Sequence, residues 1–304
     1  MRARRVRGCL YTFAMRACND LRVELSRGLG LHVADWPGMG PAIVLIHPNR
    51  TINRVWDHVV AASRLPHRFL APDLRGHGHS DQPPHGYRLT DHRDDLIDFI
   101  ETLGIGPVFV VGQATGAMLA LMIARIRPDL IRAVVAANPA LAIPPAINDL
   151  VQSQVRAQAS FTSRDVARQA LPFASRWSPA IVEHYLDHAL EPVPPGAAGG
   201  TGGAYRWRYH AAGVGECEAD LVLDHSAAIR TERPVLVFGG AEATVLPATI
   251  VDRVCALLPD HRRSVLPAAD HRLSQDNPAG FAALMDRFIL EHSRKEVSEF
   301  GAAG

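Results

Sequence analysis

Four short apolar runs, at residues 42–46, 68–71, 108–111 and 133–136, are separated by stretches with helical spacing. A strand that is followed by a helix and then another strand must return by a crossover, so the alternation predicts a parallel sheet covered by helices on both faces. Thr90 is the expected N-cap of one covering helix, whose apolar face includes Leu96, Ile97 and Ile100 and which ends at Gly104. From 143 to about 233 the strand signal vanishes. Helical stretches at 165–174 and 179–190 lead into a proline- and glycine-rich run at 192–203, which reads as an insertion with a mobile hinge. The alternation then resumes with a strand at 234–238, a helix at 250–258, a strand at 263–266 and a last helix at 278–292.

The third run opens into Val110, Val111, Gly112, Gln113, Ala114, Thr115 and Gly116, with a helix expected over 117–126. Glycines two residues before and two residues after a central position mark the sharp strand-to-helix turn of a Gly-x-Ser-x-Gly motif, which projects a nucleophilic oxygen at the head of a helix. Ala114 occupies the central position and has no oxygen to project. The turn is legible; its usual reaction is not.

With 304 residues, 47% hydrophobic and 21% charged, the chain can build one large domain with an insertion. A net charge of +1 gives no reason to expect nucleic acid or an anionic membrane as partner, and a small, mostly uncharged ligand is the simpler expectation. Cys9, Cys18, Cys217 and Cys255 share no metal-ligand spacing and read as reduced thiols of a cytoplasmic protein. The basic start (Arg2, Arg4, Arg5, Arg7) lacks a following apolar core long enough for a signal peptide, so an over-extended start with Met15 as initiator is expected. No apolar run approaches the roughly 18–20 residues that span a bilayer.

Four motifs in one order make the resemblance specific. They are His47-Pro48-Asn49 with Trp56; the run Asp73-Leu74-Arg75-Gly76-His77-Gly78-His79-Ser80; the turn at 112–116; and Asp270-His271 followed by Gln275-Asp276-Asn277-Pro278. From about Arg22 to Leu290 the chain resembles the α/β-hydrolase superfamily, in its esterase- and lactonase-like form. The resemblance implies an α/β-hydrolase fold: a mostly parallel sheet with helices on both faces in segments 22–142 and 233–304, a helical lid over 143–232, and a disordered extension over 1–21. It places the catalytic histidine at His271 and oxyanion-binding backbone N–H groups at Asn49 and Thr115. The third member of the triad falls on Ala243, with Glu242 beside it as the candidate acid; the family's alternative acid position falls on Asn138. Trp207, in the aromatic and basic stretch 205–209, is a candidate pocket residue.

Other residues carry simpler readings. Asp73, Arg75 and Ser80 suit local hydrogen bonding within a loop, and His77 and His79 belong to that loop rather than to a metal. His184 and His188 are one helical turn apart, a spacing that binds zinc when a third ligand and a general-base carboxylate are supplied, but the order around them is not His-Glu-x-x-His, so they read as a solvated helix face. No metal and no cofactor is expected. The leading functional expectation is non-covalent acid/base chemistry by His271 on an oxygenated apolar small molecule: elimination, hydration, cyclisation or carbon–carbon cleavage. The alternatives are a catalytically silent ligand-binding protein and a serine-to-alanine variant of an esterase or lactonase; the second leaves Ala243 unexplained.

Overall fold

Along the central strands, side chains alternate between two apolar cores: Ile43 and Leu45 pack on one side of the sheet, Val44 and Ile46 on the other, and Phe109 and Val111 oppose Val108 and Val110 in the same way. A strand buried on both faces needs no polar alternation, which is why these segments read as continuous apolar runs. The structure is a computed structural model that describes residues 15–157, 160–171, 174–193, 204–246 and 248–301.

The chain begins with β1 (Asn19–Glu24), β2 (Gly30–Trp36) and β3 (Ile43–Ile46), followed by α1 (Asp57–Ala62), β4 (Phe69–Pro72), α2 (Leu89–Leu103), β5 (Val108–Gln113), α3 (Thr115–Ile126) and β6 (Ile131–Ala137). The insertion carries α4 (Pro145–Ala157), α5 (Arg164–Gln169), α6 (Pro179–Ala189), β7 (Leu190–Pro192), β8 (Tyr205–Trp207) and α7 (Ala211–Asp220). The chain then returns to the sheet through β9 (Val235–Gly240), α8 (Ala248–Leu257), β10 (His261–Leu266), α9 (Leu273–Asp276) and α10 (Pro278–Gly301). Eight strands form one sheet in the order β1-β2-β4-β3-β5-β6-β9-β10. The β1–β2 and β2–β4 pairs are antiparallel and the rest are parallel. Residues of α2, α3 and α8 fill the core on one face, and residues of α1 and α10 fill the core on the other.

Several sequence-based boundaries move. The sheet begins at Asn19, inside the 1–21 segment expected to be an extension, because Asn19 pairs with Asp35 in the antiparallel β1–β2 ladder; residues 1–14 lie outside the described residues. Arg88, not Thr90, precedes α2: the Asp91 carboxylate accepts the Arg88 backbone N–H at 3.0 Å, fixing the first turn two residues earlier. Gly104 ends that helix with φ 58°, a left-handed conformation that glycine adopts without steric cost. The insertion is not free of strand, since β7 and β8 pair antiparallel from Leu190–Trp207 to Pro192–Tyr205. Three-residue strands are too short to carry a period. Bridges from Tyr205 to Phe161 and from Tyr209 to His77 extend this ribbon within the insertion and onto the core loop. The expected hinge falls mostly on 194–203, which lies outside the described residues. Among the described residues no helix is long and apolar enough to cross a membrane.

Candidate active site

The turn between β5 and α3 is set by what a side chain would hit. A Cβ at Gly112 would sit 2.1 Å from the Gly116 carbonyl oxygen, and one at Gly116 would sit 2.2 Å from the Ile46 carbonyl oxygen. Both glycines are therefore required for the strand, turn and helix to close against β3. Between them Ala114 is held at φ 51° and ψ −113°, a strained conformation for a residue with a Cβ, with its N–H bonded to the Ala137 carbonyl at 2.9 Å. The methyl group lines a cavity of about 110 Å3.

His271 follows β10 and lines the same cavity. Asn138, at the end of β6 with φ 49°, places its side-chain nitrogen 3.0 Å from His271 Nδ1. With the amide N–H donating, Nδ1 is the acceptor and the imidazole proton resides on Nε2. Burial first, then the nearby Arg272 and Arg50 guanidinium groups, hold the His271 pKa down at about 3, so the ring is neutral at pH 7; Asp270 opposes this shift. Asp270 is itself fixed by Thr244, whose N–H and hydroxyl donate to its carboxylate at 2.8 and 2.6 Å. The backbone N–H groups of Asn49 and Thr115 have no acceptor among the described residues, and both residues line the cavity. Thr115 is the first residue of α3, where a helix leaves its N–H groups unpaired and pointing outward.

The insertion completes the cavity with Ile147, Leu150, Val151 and Gln154 from α4 and Glu218 from α7, so one side of the cavity is largely apolar. The other side is cationic. Arg50 adopts φ 61°, donates its Nη1 to Gln154 Oε1 at 3.2 Å, and leaves its buried Nε without a hydrogen-bond partner. Arg272 is 7% exposed, and neither its Nε nor its Nη1 has a partner. Burial pushes the Arg272 pKa down, and the charge of Arg50 adds to the shift. Glu218 is the counter-charge: its Oε1 accepts from Asn49 Nδ2 at 2.9 Å and lies 3.9 Å from Arg50 Nε, while burial raises its pKa.

Of the residues singled out in the sequence, Asn49, Ala114, Thr115 and His271 line this cavity, and Asn138 supports the histidine from behind. Glu242 does not join them. It is exposed and paired with Arg176, 2.5 Å away, because the chain after β9 turns its side chain outward. Trp207 is also absent from the cavity; it packs edge to face against Phe161 at 5.1 Å and near Tyr185, holding the β7–β8 ribbon to the rest of the insertion. His184 and His188 are not a solvated face. Both are partly buried, and His184 Nε2 lies 2.6 Å from the buried carboxylate of Asp57. The loop at 73–80 is hydrogen-bonded within itself and to its neighbours: Asp73 accepts from the backbone of Asn53 and His79, Ser80 donates to the Asp73 carbonyl, and Arg75 pairs with Asp95. Sequence reasoning missed Arg50, Glu218 and Arg272. Two of these directly follow Asn49 and His271 in the recognised motifs, which is the signal that could have found them; Glu218 has none.

A mostly parallel sheet with a strained turn at the end of a central strand, a histidine beyond the last strand and a helical insertion over both is the architecture of an α/β hydrolase. The alpha/beta hydrolase fold family matches residues 41–278, and the chain belongs to that family. It is 30% identical to haloalkane dehalogenase 2 of Mycobacterium tuberculosis over 275 residues, covering 87% of this chain and 93% of that protein. It is 29% identical to 2-(acetamidomethylene)succinate hydrolase of Mesorhizobium japonicum over 274 residues, covering 88% and 94%. Among solved structures it is similar to an E-2-(acetamidomethylene)succinate hydrolase, with a TM-score of 0.79 and 25% identity over 90% of this chain and 99% of that one.

Proposed function

We propose that this α/β-hydrolase-family protein is an enzyme that has given up the covalent intermediate and performs non-covalent acid/base chemistry on a small molecule with an apolar body and an anionic group. The observation that carries this reading is the cavity wall itself. His271 and the unpaired N–H groups of Asn49 and Thr115 converge on the space beside Ala114, which offers no nucleophile. A developing oxyanion is stabilised by the two N–H groups, each worth about 3–4 kcal/mol when well placed. His271 exchanges the proton, which suits elimination, hydration, cyclisation or carbon–carbon cleavage through an enolate or alkoxide.

The two buried guanidinium groups change the expected ligand from a mostly uncharged molecule to an anion. Unpaired donors of a buried cation favour a carboxylate or similar group, which accepts charge-assisted hydrogen bonds in a forked geometry. The relative named for a succinate derivative supports the same substrate class. Incubating the protein with a library of small organic acids and following mass change by mass spectrometry tests the proposal. Product is expected with at least one carboxylate, and His271→Ala should abolish its formation; an unchanged rate in that variant would sink the mechanism.

A second reading is favoured by one observation, the amide of Asn138 where a carboxylate would support the histidine. In that reading the cavity is a receptor for an organic anion without turnover. Saturable binding with intact ligand recovered after long incubation would select it.

A further inference from the structure

The helical turn that separates His184 from His188 has a third donor in space that the sequence does not reveal. We propose that Asp57, His184 and His188 form a binding site for a divalent transition-metal ion of the zinc class, which ties lid helix α6 to α1 of the core. One donor atom from each of the three lies within 4.8 Å of the other two. The two imidazole rings are 4.7 Å apart between centroids, and His184 Nε2 is 2.6 Å from Asp57 Oδ2. Tetrahedral zinc with bonds of about 2.0–2.2 Å spaces its ligand atoms about 3.3–3.6 Å apart, so modest rotation of the two partly buried rings suffices.

A second observation points to a ligand. Asp57 is 1% exposed, yet its Oδ1 has no hydrogen-bond partner, an arrangement that is costly for a buried carboxylate oxygen unless something binds there. Next to the cluster His58 lies with its ring centroid 5.1 Å from that of His184 and its buried Nε2 likewise unpartnered. Arg54 competes for the carboxylate, its Nε 3.0 Å from Oδ2, but it also reaches Cys18 Sγ at 2.9 Å and leaves Oδ1 to the metal. A cavity of about 90 Å3 bordered by His188, Arg54 and Asn53 adjoins the cluster and supplies room for a water as fourth ligand. Two imidazoles and one carboxylate select zinc, cobalt or nickel over magnesium and calcium, which prefer all-oxygen sites.

Titrating the full chain with Co2+ and following its visible spectrum tests the site, with thermal unfolding in Zn2+ as a second readout. One equivalent of cobalt should give the intense bands of a tetrahedral site, Zn2+ should displace it, and Zn2+ should raise the unfolding midpoint. His188→Gln and His184→Gln, both at partly exposed positions and checked for folding by circular dichroism, should each weaken binding by at least tenfold. Absence of stoichiometric cobalt binding would overturn the proposal. So would equal affinity in folded variants, which would place the ion on others of the chain's 15 histidines, leaving Asp57 and His184 as a hydrogen-bonded pair.

Discussion

Replacing Arg272 by methionine should make the protein more stable and unable to hold its ligand. Arg272 is buried with two guanidinium nitrogens unpartnered, and leaving a buried donor unsatisfied costs about 1–3 kcal/mol. Arg50 adds repulsion, while Glu218 and Asp276 return part of the cost as attraction. Methionine keeps the length of the side chain and removes both the charge and the open donors. Replacing buried charges by well-packed apolar residues stabilises proteins by about 1–4 kcal/mol in documented cases. A net gain of about 2 kcal/mol raises the midpoint of a chain this size by roughly 3 °C. Differential scanning fluorimetry at low salt reads the gain, and a titration with small dicarboxylates reads the loss, because ligand that binds only the folded state raises the midpoint of the parent protein but not of the variant. If Arg272→Met lowers the midpoint by several degrees, Arg272 holds the fold rather than a ligand. Equal carboxylate stabilisation in both proteins would refute the anion site directly.

Ala114→Ser should fold with a midpoint within about 2 °C of the parent, because the strained φ of 51° is already imposed on a residue with a Cβ and the added hydroxyl faces the cavity; failure to fold in a thermal melt would contradict that placement. Fluorophosphonate probes should leave the parent protein unmodified, as only an activated side-chain oxygen attacks them; stoichiometric labelling mapped by peptide mass spectrometry to Thr115 or Ser274 would install a displaced nucleophile. Acid should destabilise the fold strongly. His271 and His77 both have pKa values pushed down to about 3 from 6.5, so between pH 6.5 and 3 the unfolded chain binds more protons and stability falls as pH falls. For two such groups the loss by pH 5 is about 4 kcal/mol. Urea midpoints that stay level between pH 7 and pH 5 would show that neither ring is held neutral.

The legible parts of this protein are those in which backbone geometry demands a residue type. Gly112 and Gly116 stand where a Cβ would strike a carbonyl, so the turn is written in the sequence whatever stands between them. The central strands are legible because burial on both faces forces apolar runs. What escapes is assembled across the chain. Glu218 reaches Asn49 across 169 positions and His184 reaches Asp57 across 127, both through helices of the insertion whose local patterns contain no reference to the core. Glu242 misleads for the same reason: it stands one residue from the expected acid, but a side chain on a turn reverses direction with a one-residue shift, and this one points outward to Arg176.

In the proposed mechanism Ala114 and Asn138 are one change rather than two. A carboxylate at 138 would orient a neutral His271 and stabilise the imidazolium that forms when it takes a proton, which serves an enzyme whose histidine must deprotonate a serine and hold that proton. Without the serine that service has no object, and an amide leaves the imidazole neutral. The histidine then answers to the ligand: Arg272 and Arg50, after burial, depress its pKa, and an anion seated on those guanidinium groups cancels their part of the shift and raises the basicity of the ring. Asn138 adds a freedom that a carboxylate lacks. Its N–H can donate to Nδ1, leaving the proton on Nε2, or its oxygen can accept from Nδ1–H, leaving a lone pair there. The same ring can thus give a proton or take one, and the charge that recruits the substrate also sets the strength of the base that acts on it.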